Sequence, residues 1–261
     1  MHPILFNIGS FPVGTYGVLL AVAALAAIAL GRMLAPQAGL DPEKLVDLFV
    51  FSLLGAFVGA KVALVIGDFK AFADHPAQFM IENLRSFGAF YGGFIAGVLV
   101  AVYYLRKHKI RFFDAADVTV VCLAMGQAMG RWGCFFAGCC YGKPTQLPWG
   151  MVFPAVPLCA DGTHIHPWPL YESLADWAIF ALLFWLFRRR AFSGQVFLVY
   201  VMTYAVARGL LEFLRGDDVR GLYLGGAVSL SQIVAVVAFV VASGLYLWRR
   251  KAAAASRPCP E

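Results

Sequence analysis

Residues 115–142, AADVTVVCLAMGQAMGRWGCFFAGCCYG, combine an apolar run with a group of polar and thiol side chains. Residues 115–136 form an apolar run near 20 residues long, the length at which an α-helix crosses a hydrocarbon core of about 30 Å. From Gly130 onward the same stretch brings Arg131, Cys134, Cys139 and Cys140 close together along the chain. We therefore predict a membrane-spanning helix that ends in a group of polar and thiol side chains.

The whole chain has the composition of a membrane protein. Of its 261 residues, 61% are hydrophobic and only 14% are charged, too few to cover the surface of a soluble domain of this size. None of the apolar runs alternates as barrel strands do, so we predict an all-α, polytopic membrane protein. It is expected to form one membrane domain, residues 1–250, followed by a tail at 251–261. The predicted spans are 14–34, 44–66, 88–105, 115–136, 170–187, 194–213 and 227–248.

Basic residues predict how these seven spans are oriented. With the N-terminus outside and the C-terminus inside, 13 of the 21 Lys and Arg fall in cytoplasmic segments, as the positive-inside rule requires. The two longest polar segments, 67–87 and 137–169, then lie outside and are expected to form a small head. The net charge of +6 is thus a topology signal, and we expect no nucleic-acid partner.

Charged residues inside spans are costly and usually mark function. Arg131 closes the fourth span, Arg208 and Glu212 lie one turn apart in the sixth, and Arg215 follows on the same face. One interpretation is structural, with Arg208 and Glu212 as an i,i+4 ion pair and Arg131 snorkelling to the interface. The other is that the guanidiniums converge on an anion, for which a phospholipid phosphate is the obvious candidate.

Other polar groups favour structural roles when taken alone. Lys61, in GAFVGAKVAL, reaches Asp68 only if its helix bends. His166 precedes a helix whose first turn is predicted to carry Tyr171 and Glu172, with Glu172 stabilised by the helix dipole.

The cysteines allow three interpretations. Cys134, Cys139, Cys140 and Cys159 lie on or near the predicted outer side, where an oxidising compartment would permit a disulfide. A metal site would combine the first three with His164 or His166, but C-x4-C-C followed by H-x-H matches no standard zinc pattern. Inert packing is the third interpretation, and it is the simplest one for Cys122. We expect no metal and no other cofactor.

Six motifs in order resemble the prolipoprotein diacylglyceryl transferase family along nearly the whole chain. They are IGSFPVGTYG, GAFVGAKVALVIGD, FYGGFIAG, GRWGCFFAGCCYG, HPWPLYES and YAVARGLLEFLRGDD. The resemblance implies a multi-pass enzyme of the bacterial inner membrane whose partners are membrane lipid and prolipoprotein signal sequences. Such an enzyme transfers the diacylglyceryl group of phosphatidylglycerol to a cysteine thiol, forming a thioether and releasing glycerol phosphate.

The resemblance also implies site residues. Arg131 and Arg208 match essential arginines and are expected to bind phosphate, while Tyr16 matches a functional tyrosine near the reacting centre. The remaining matches to substrate-binding positions are Gly93, Gly142, Glu212 and Arg215.

Three positions depart from the family pattern. Tyr91 replaces a histidine, Cys134 an asparagine and Cys139 a glutamate. A tyrosine with a pKa near 10 is a poor base, so either Tyr91, His166, Glu172 or the substrate's environment handles the proton, or the chain has another task. That alternative is a lipid-binding membrane protein, or one that performs redox or metal chemistry through its outer cysteines.

Overall fold

The computed structural model describes residues 2–9, 11–83, 89–154, 156–216, 222–223 and 228–255. Helices make up most of these residues. The helices are α1 Thr15–Leu34, α2 Pro42–Gly67, α3 Phe69–Asp74, α4 Pro76–Glu82, α5 Phe90–Lys107, α6 Phe112–Ala137, α7 Trp168–Phe187, α8 Gln195–Leu211 and α9 Leu230–Ala255. Short 3-10 turns cover Ala35–Ala38, Pro157–Cys159 and Glu212–Leu214.

Each predicted span coincides with a helix, and the predicted all-α membrane fold is confirmed. Six of these helices are long and apolar enough to cross a membrane, and the protein is therefore a multi-pass membrane protein. The third predicted span coincides with α5, which is 18 residues long and ends in Arg106 and Lys107. Whether α5 crosses the membrane, and which side each end faces, stay predictions.

Two short pairs of antiparallel strands, absent from the sequence-based prediction, precede helices α1 and α9. Strands β1 (Ile4–Ile8) and β2 (Phe11–Gly14) pair antiparallel just before α1. Strands β3 (Leu222–Tyr223) and β4 (Val228–Ser229) pair in the same way before α9. Strands of two to five residues are too short for a periodic pattern, which explains why the sequence did not reveal them.

The chain divides into two compact units, and residues 31–115 form one of them. Its main contact is between α2 and α5, where glycines allow the backbones to approach closely. A Cβ added to Gly59 would lie 2.8 Å from the carbonyl oxygen of Gly92, and one added to Gly92 would lie 2.9 Å from that of Gly59. In the same unit, Lys61 Nζ donates a hydrogen bond of 2.7 Å to the carbonyl of Asn83, so this lysine ties α2 to the end of α4.

The other unit contains residues 1–30 and 116–261, and in it α8 packs against both α7 and α9. The Ser173 hydroxyl on α7 donates to the carbonyl of Ala128 on α6 at 2.8 Å. Asp117 on α6 accepts hydrogen bonds from the backbone N–H groups of Gly194 and Phe197, both at 2.8 Å, at the start of α8. These polar contacts fix α6 against the two helices that follow it.

The segment between α6 and α7 is folded on itself. Ile165 forms bridges with both Pro144 and Met151. Ile165 also belongs to a small apolar core with Phe153, Val156 and Cys159. This segment corresponds to the second half of the predicted head, and its position outside the membrane stays a prediction.

Candidate active site

Three arginines from separate parts of the chain converge on one tryptophan. The guanidinium carbons of Arg131 on α6, Arg208 on α8 and Arg215 after α8 lie 5.5, 5.2 and 4.9 Å from the ring centroid of Trp168. Trp168 is fully buried, and its indole N–H donates to the carbonyl of Leu211 at 2.8 Å. Each guanidinium is thus placed for a cation–π interaction with a ring that is fixed in position.

Two buried carboxylates accompany these arginines. Arg208 and Glu212 form the predicted i,i+4 ion pair, with Nη1 and Oε2 at 2.5 Å. Arg131 does not snorkel outward as the structural interpretation supposed: its Nη2 lies 2.9 Å from Oε1 of Glu172 on α7. The prediction that Glu172 stabilises the first turn of α7 is also wrong, because the helix begins at Trp168 and the Glu172 side chain is 2% exposed and faces Arg131.

Tyr16, in the first turn of α1, belongs to the same cluster. It packs against Gly133 of α6, where an added Cβ would lie 2.9 Å from Cδ2 of Tyr16. Its hydroxyl interacts electrostatically with Arg131 and with Cys134 and Cys139. The absence of a side chain at Gly133 therefore brings the tyrosine to the arginine and the thiols.

Gly142 fixes the backbone beside Arg215, with which it forms an isolated antiparallel bridge. The Gly142 N–H donates to the carbonyl of His166 at 3.0 Å, and the Lys143 N–H donates to that of Leu214 at 2.9 Å. A Cβ at Gly142 would lie 2.8 and 2.9 Å from those two carbonyl oxygens. Only glycine fits at a crossing this close.

His166 and Glu172, both considered as proton carriers, have different surroundings. The His166 Nδ1 is 3.1 Å from the hydroxyl of Tyr171, which also accepts a 2.8 Å hydrogen bond from the indole N–H of Trp149. Glu172 interacts electrostatically with all three arginines and with Cys140. Glu172 is therefore the one of the two that lies within the arginine cluster.

Tyr91 and Gly93 belong to the other compact unit, at the start of α5. Tyr91 is 70% exposed. A Cβ at Gly93 would lie 2.8 Å from the carbonyl oxygen of Ala56 and 3.1 Å from the Ala60 side chain. The close packing of α5 on α2 is thus sufficient to explain why residue 93 is a glycine.

The thiols form a second cluster that adjoins the first. Five cysteines are free thiols in the structure, namely Cys122, Cys134, Cys139, Cys140 and Cys159, while Cys259 lies outside the described residues. The sulfur atoms of Cys134, Cys139 and Cys140 all lie within 4.8 Å of one another.

The environment favours a thiolate at one of these three positions. Hydrogen bonds from the thiols of Cys134 and Cys139, assisted by the nearby charges of Arg131 and Arg215, lower the pKa of Cys140. The same contacts, with Cys134 and then Cys140, raise the pKa of the Cys139 thiol. Of the three cysteines, Cys140 is therefore the one whose negative charge the cluster stabilises.

Sequence reasoning selected the arginines and the Arg208–Glu212 pair, but not Trp168 or the pairing of Arg131 with Glu172. Trp168 lies in the quoted HPWPLYES motif, yet nothing in its spacing indicates that three cations surround it. Asp176, one turn after Glu172, is buried as well and interacts electrostatically with Glu172 and Arg131. In the sequence, Glu172 and Asp176 are acidic residues one turn apart in an otherwise apolar helix. That spacing could have indicated both buried carboxylates.

Comparison with known proteins matches this chain to one family. The family model for prolipoprotein diacylglyceryl transferase covers residues 3–248. A phosphatidylglycerol–prolipoprotein diacylglyceryl transferase of Clostridium tetani is 32% identical over 95% of this chain and 97% of its own length. Proteins of the same name from Trichormus variabilis and Finegoldia magna are 33% and 32% identical, over 99% and 95% of this chain and 92% and 94% of their own lengths. At this identity and coverage, the chain belongs to the prolipoprotein diacylglyceryl transferase family.

Proposed function

We propose that this protein transfers the diacylglyceryl group of phosphatidylglycerol to the cysteine thiol of prolipoprotein signal sequences in the bacterial inner membrane. The products are a thioether-linked prolipoprotein and glycerol phosphate. Both substrates appear in the names of its relatives, and the match to the family extends over almost the entire chain. The chemistry of the arginine cluster supports the assignment independently.

The observation that carries the proposal is the convergence of Arg131, Arg208 and Arg215 on Trp168. The reaction breaks a carbon–oxygen bond and leaves negative charge on a departing phosphate. Guanidiniums fixed in a partly buried site stabilise that charge more strongly than water does, because they need not reorganise during the reaction. The guanidiniums of Arg131 and Arg208 each carry five N–H donors, more than their one carboxylate contact uses, so each can also bind phosphate oxygens.

The neighbouring residues then have distinct roles in our proposal. Arg131 and Arg208 bind the phosphate, while Glu172 and Glu212 hold those two guanidiniums in place. Tyr16 contributes a hydroxyl near the reacting carbon. Gly142 positions Arg215 as a further phosphate ligand, and the roles that the family resemblance implies for Gly93 and Tyr91 stay predictions.

The test uses purified protein in phosphatidylglycerol vesicles with a lipobox peptide, and mass spectrometry measures the diacylglyceryl adduct. Arg131→Lys keeps the charge but loses the fork that binds two phosphate oxygens. We expect it to lower the rate of adduct formation at least about 100-fold. Arg189→Lys is the matched control, since Arg189 also lies over a tryptophan, Trp185, at 5.0 Å but outside the cluster. It should keep the parent rate.

Two results would contradict this proposal at different levels. No adduct, under conditions in which a relative from the same family reacts, would reject transferase activity and favour a lipid-binding or thiol-based function. An adduct formed equally fast by Arg131→Lys and the parent would leave the transferase in place but remove Arg131 as a phosphate ligand.

A further inference from the structure

The sulfur atoms of Cys134, Cys139 and Cys140 are arranged for a single metal ion. A Zn–S bond is about 2.3 Å long, so thiolates at the corners of one tetrahedron lie about 3.8 Å apart. The three sulfur atoms here are mutually within 4.8 Å. Side-chain rotations that move each sulfur by less than about 1 Å therefore suffice to coordinate one zinc ion.

The backbone builds this cluster through the cap of α6. The N–H of Gly138 bonds to the carbonyl of Phe135, and the N–H of Cys139 bonds to that of Cys134, at 3.2 and 3.1 Å. Gly138 has a φ of 74°. This pair of bonds is the Schellman motif, in which the residue after the left-handed glycine returns to the carbonyl five positions earlier. The spacing C-x4-C, which suggested no standard zinc pattern, is the spacing that this cap brings together.

Cys140 completes the set through an uncommon backbone conformation. Its φ of 57° lies in the left-handed region, which disfavours residues other than glycine by about 1–2 kcal/mol. Residues held in such conformations cluster at functional sites. Here the conformation lets two adjacent cysteines face Cys134 together, which extended backbone prevents by turning neighbouring side chains to opposite sides.

The surroundings fit a catalytic rather than a structural ion. Within the described part of the chain, no fourth Cys, His, Asp or Glu joins the three thiols. Structural zinc sites have four protein ligands, whereas catalytic sites have three and leave one position open. Cys134 is buried while Cys139 is exposed, so the cluster can be reached from one side. Three thiolates around Zn²⁺ carry one net negative charge, which Arg131 and Arg215 are close enough to offset.

We propose that Cys134, Cys139 and Cys140 bind one Zn²⁺ ion, and that its open position binds the thiol of the substrate cysteine. This inference rests on the proposed transferase function. Coordination to a metal ion deprotonates a thiol outright, and the released proton passes to water at the exposed side of the cluster. The bound sulfur then attacks the glyceryl carbon. A carbon–sulfur bond forms, the carbon–oxygen bond to phosphate breaks with its electron pair on oxygen, and zinc keeps its oxidation state.

Such an ion would resolve the absence of an evident base. Tyr91 replaces the histidine of the family pattern, and a phenol hydroxyl is a far weaker acceptor of a thiol proton at neutral pH than an imidazole ring. The positions where the family pattern has asparagine and glutamate hold Cys134 and Cys139. Two of the three departures therefore supply zinc ligands, and the third removes a group that metal activation makes dispensable.

The first experiment measures metal binding without reference to activity. Protein purified under reducing, anaerobic conditions is expected to contain about one zinc per chain by elemental analysis. Its Co²⁺ form should show thiolate-to-cobalt charge-transfer bands together with the visible bands of a tetrahedral site. Cys139→Ser should weaken zinc binding more than about tenfold. Cys159→Ala removes a buried free thiol outside the cluster and should bind zinc like the parent protein.

The second experiment asks what occupies the open position. Addition of the lipobox peptide to the Co²⁺ form should intensify the charge-transfer bands, because a fourth sulfur joins the metal. A peptide with serine in place of the cysteine should leave the spectrum unchanged. Equal effects of the two peptides, or no effect of either, would overturn substrate-thiol coordination.

The inference and the proposed function fail separately. Full adduct formation by zinc-free protein, or by Cys139→Ser, would overturn the zinc inference while the transferase assignment stands. Zinc binding with the cysteine-specific spectral change, but with no adduct, would support the metal site and contradict the transferase. A disulfide joining two of the three cysteines in the anaerobically purified protein would also overturn the inference.

Discussion

Glu172 and Arg131 show why charged residues persist inside this apolar protein. The Glu172 side chain is 2% exposed, and that of Arg131 is 25% exposed. A buried ion pair seldom stabilises a protein more than apolar residues of similar volume, yet removing one partner costs about 3–5 kcal/mol. Stability alone therefore gives no reason to keep the pair. A reason follows from position, because the pair holds Arg131 over Trp168 next to Arg208 and Arg215.

Gly142 allows a sharp test at the scale of one residue. In Gly142→Ala, the new methyl group would lie within 3 Å of the carbonyl oxygens of His166 and Leu214. Both are backbone atoms, so the strand-like contact with Arg215 must open. We expect a loss of stability of about 2–3 kcal/mol and at least a tenfold slower transfer reaction, measured by thermal unfolding in detergent and by the adduct assay.

Gly130 is the matched control from the same motif. Among the described residues, no atom beyond the neighbouring turns of α6 lies within 4 Å of a Cβ added there, and the residue is within α6. Alanine favours a helix over glycine by about 1 kcal/mol, so Gly130→Ala should unfold at the same or a higher temperature and keep its activity. Equal tolerance of alanine at Gly142 and Gly130 would show that the Gly142 contact is unimportant.

At the level of residues, the arginines of the cluster were easier to identify from the sequence than the residues that they contact. Arg131 and Arg208 were evident because a guanidinium inside an apolar run is costly, and the Arg208–Glu212 pair follows from helical spacing. The Arg131–Glu172 pair and the role of Trp168 depend on how α6, α7 and α8 pack, which no local pattern contains. The thiol cluster depends on the dihedral angles of Gly138 and Cys140.

At the scale of elements, the helices at the seven predicted spans were predictable and their caps were only partly so. Run length and hydropathy located each helix, since a membrane span must be long and apolar. The helix ends lie within three residues of the prediction, except that α9 extends to Ala255 beyond the predicted end at 248. The cap of α2 is local: Asp41 accepts a bond from the Glu43 N–H at 3.0 Å, and proline follows it. The cap of α8 is supplied by Asp117, far away in the sequence.

These two aspartates give a matched pair of substitutions. Asp41→Ala removes an exposed cap and should cost about 1 kcal/mol of stability. Asp117→Ala leaves the N–H groups of Gly194 and Phe197 without their acceptor around a fully buried side chain. Each unpaired buried donor costs about 1–3 kcal/mol, so the loss should be at least twice as large. Thermal unfolding in detergent compares the two, and equal losses would contradict the capping role of Asp117.

At the scale of the whole molecule, the helix α5 decides the topology by parity. Six spans would leave the two ends of the chain on the same side of the membrane, whereas α5 as a seventh would leave them on opposite sides. Its 18 residues extend about 27 Å, close to the hydrocarbon thickness of about 30 Å. Its glycine-rich face packs on α2, and Arg106 and Lys107 at its end can snorkel to the cytoplasmic interface.

We therefore predict that Asp74 and Lys109, which flank α5, lie on opposite sides. A reporter that combines a phosphatase, active only outside, with a protein that fluoresces only inside would be fused after each residue. The fusion at Asp74 should show phosphatase activity and the fusion at Lys109 fluorescence, because three basic residues between 106 and 109, which the fusion retains, hold that loop in the cytoplasm. A third fusion after Ala255 should fluoresce. The same signal at Asp74 and Lys109 would mean that α5 does not cross, and the N-terminus would then share the side of the C-terminus.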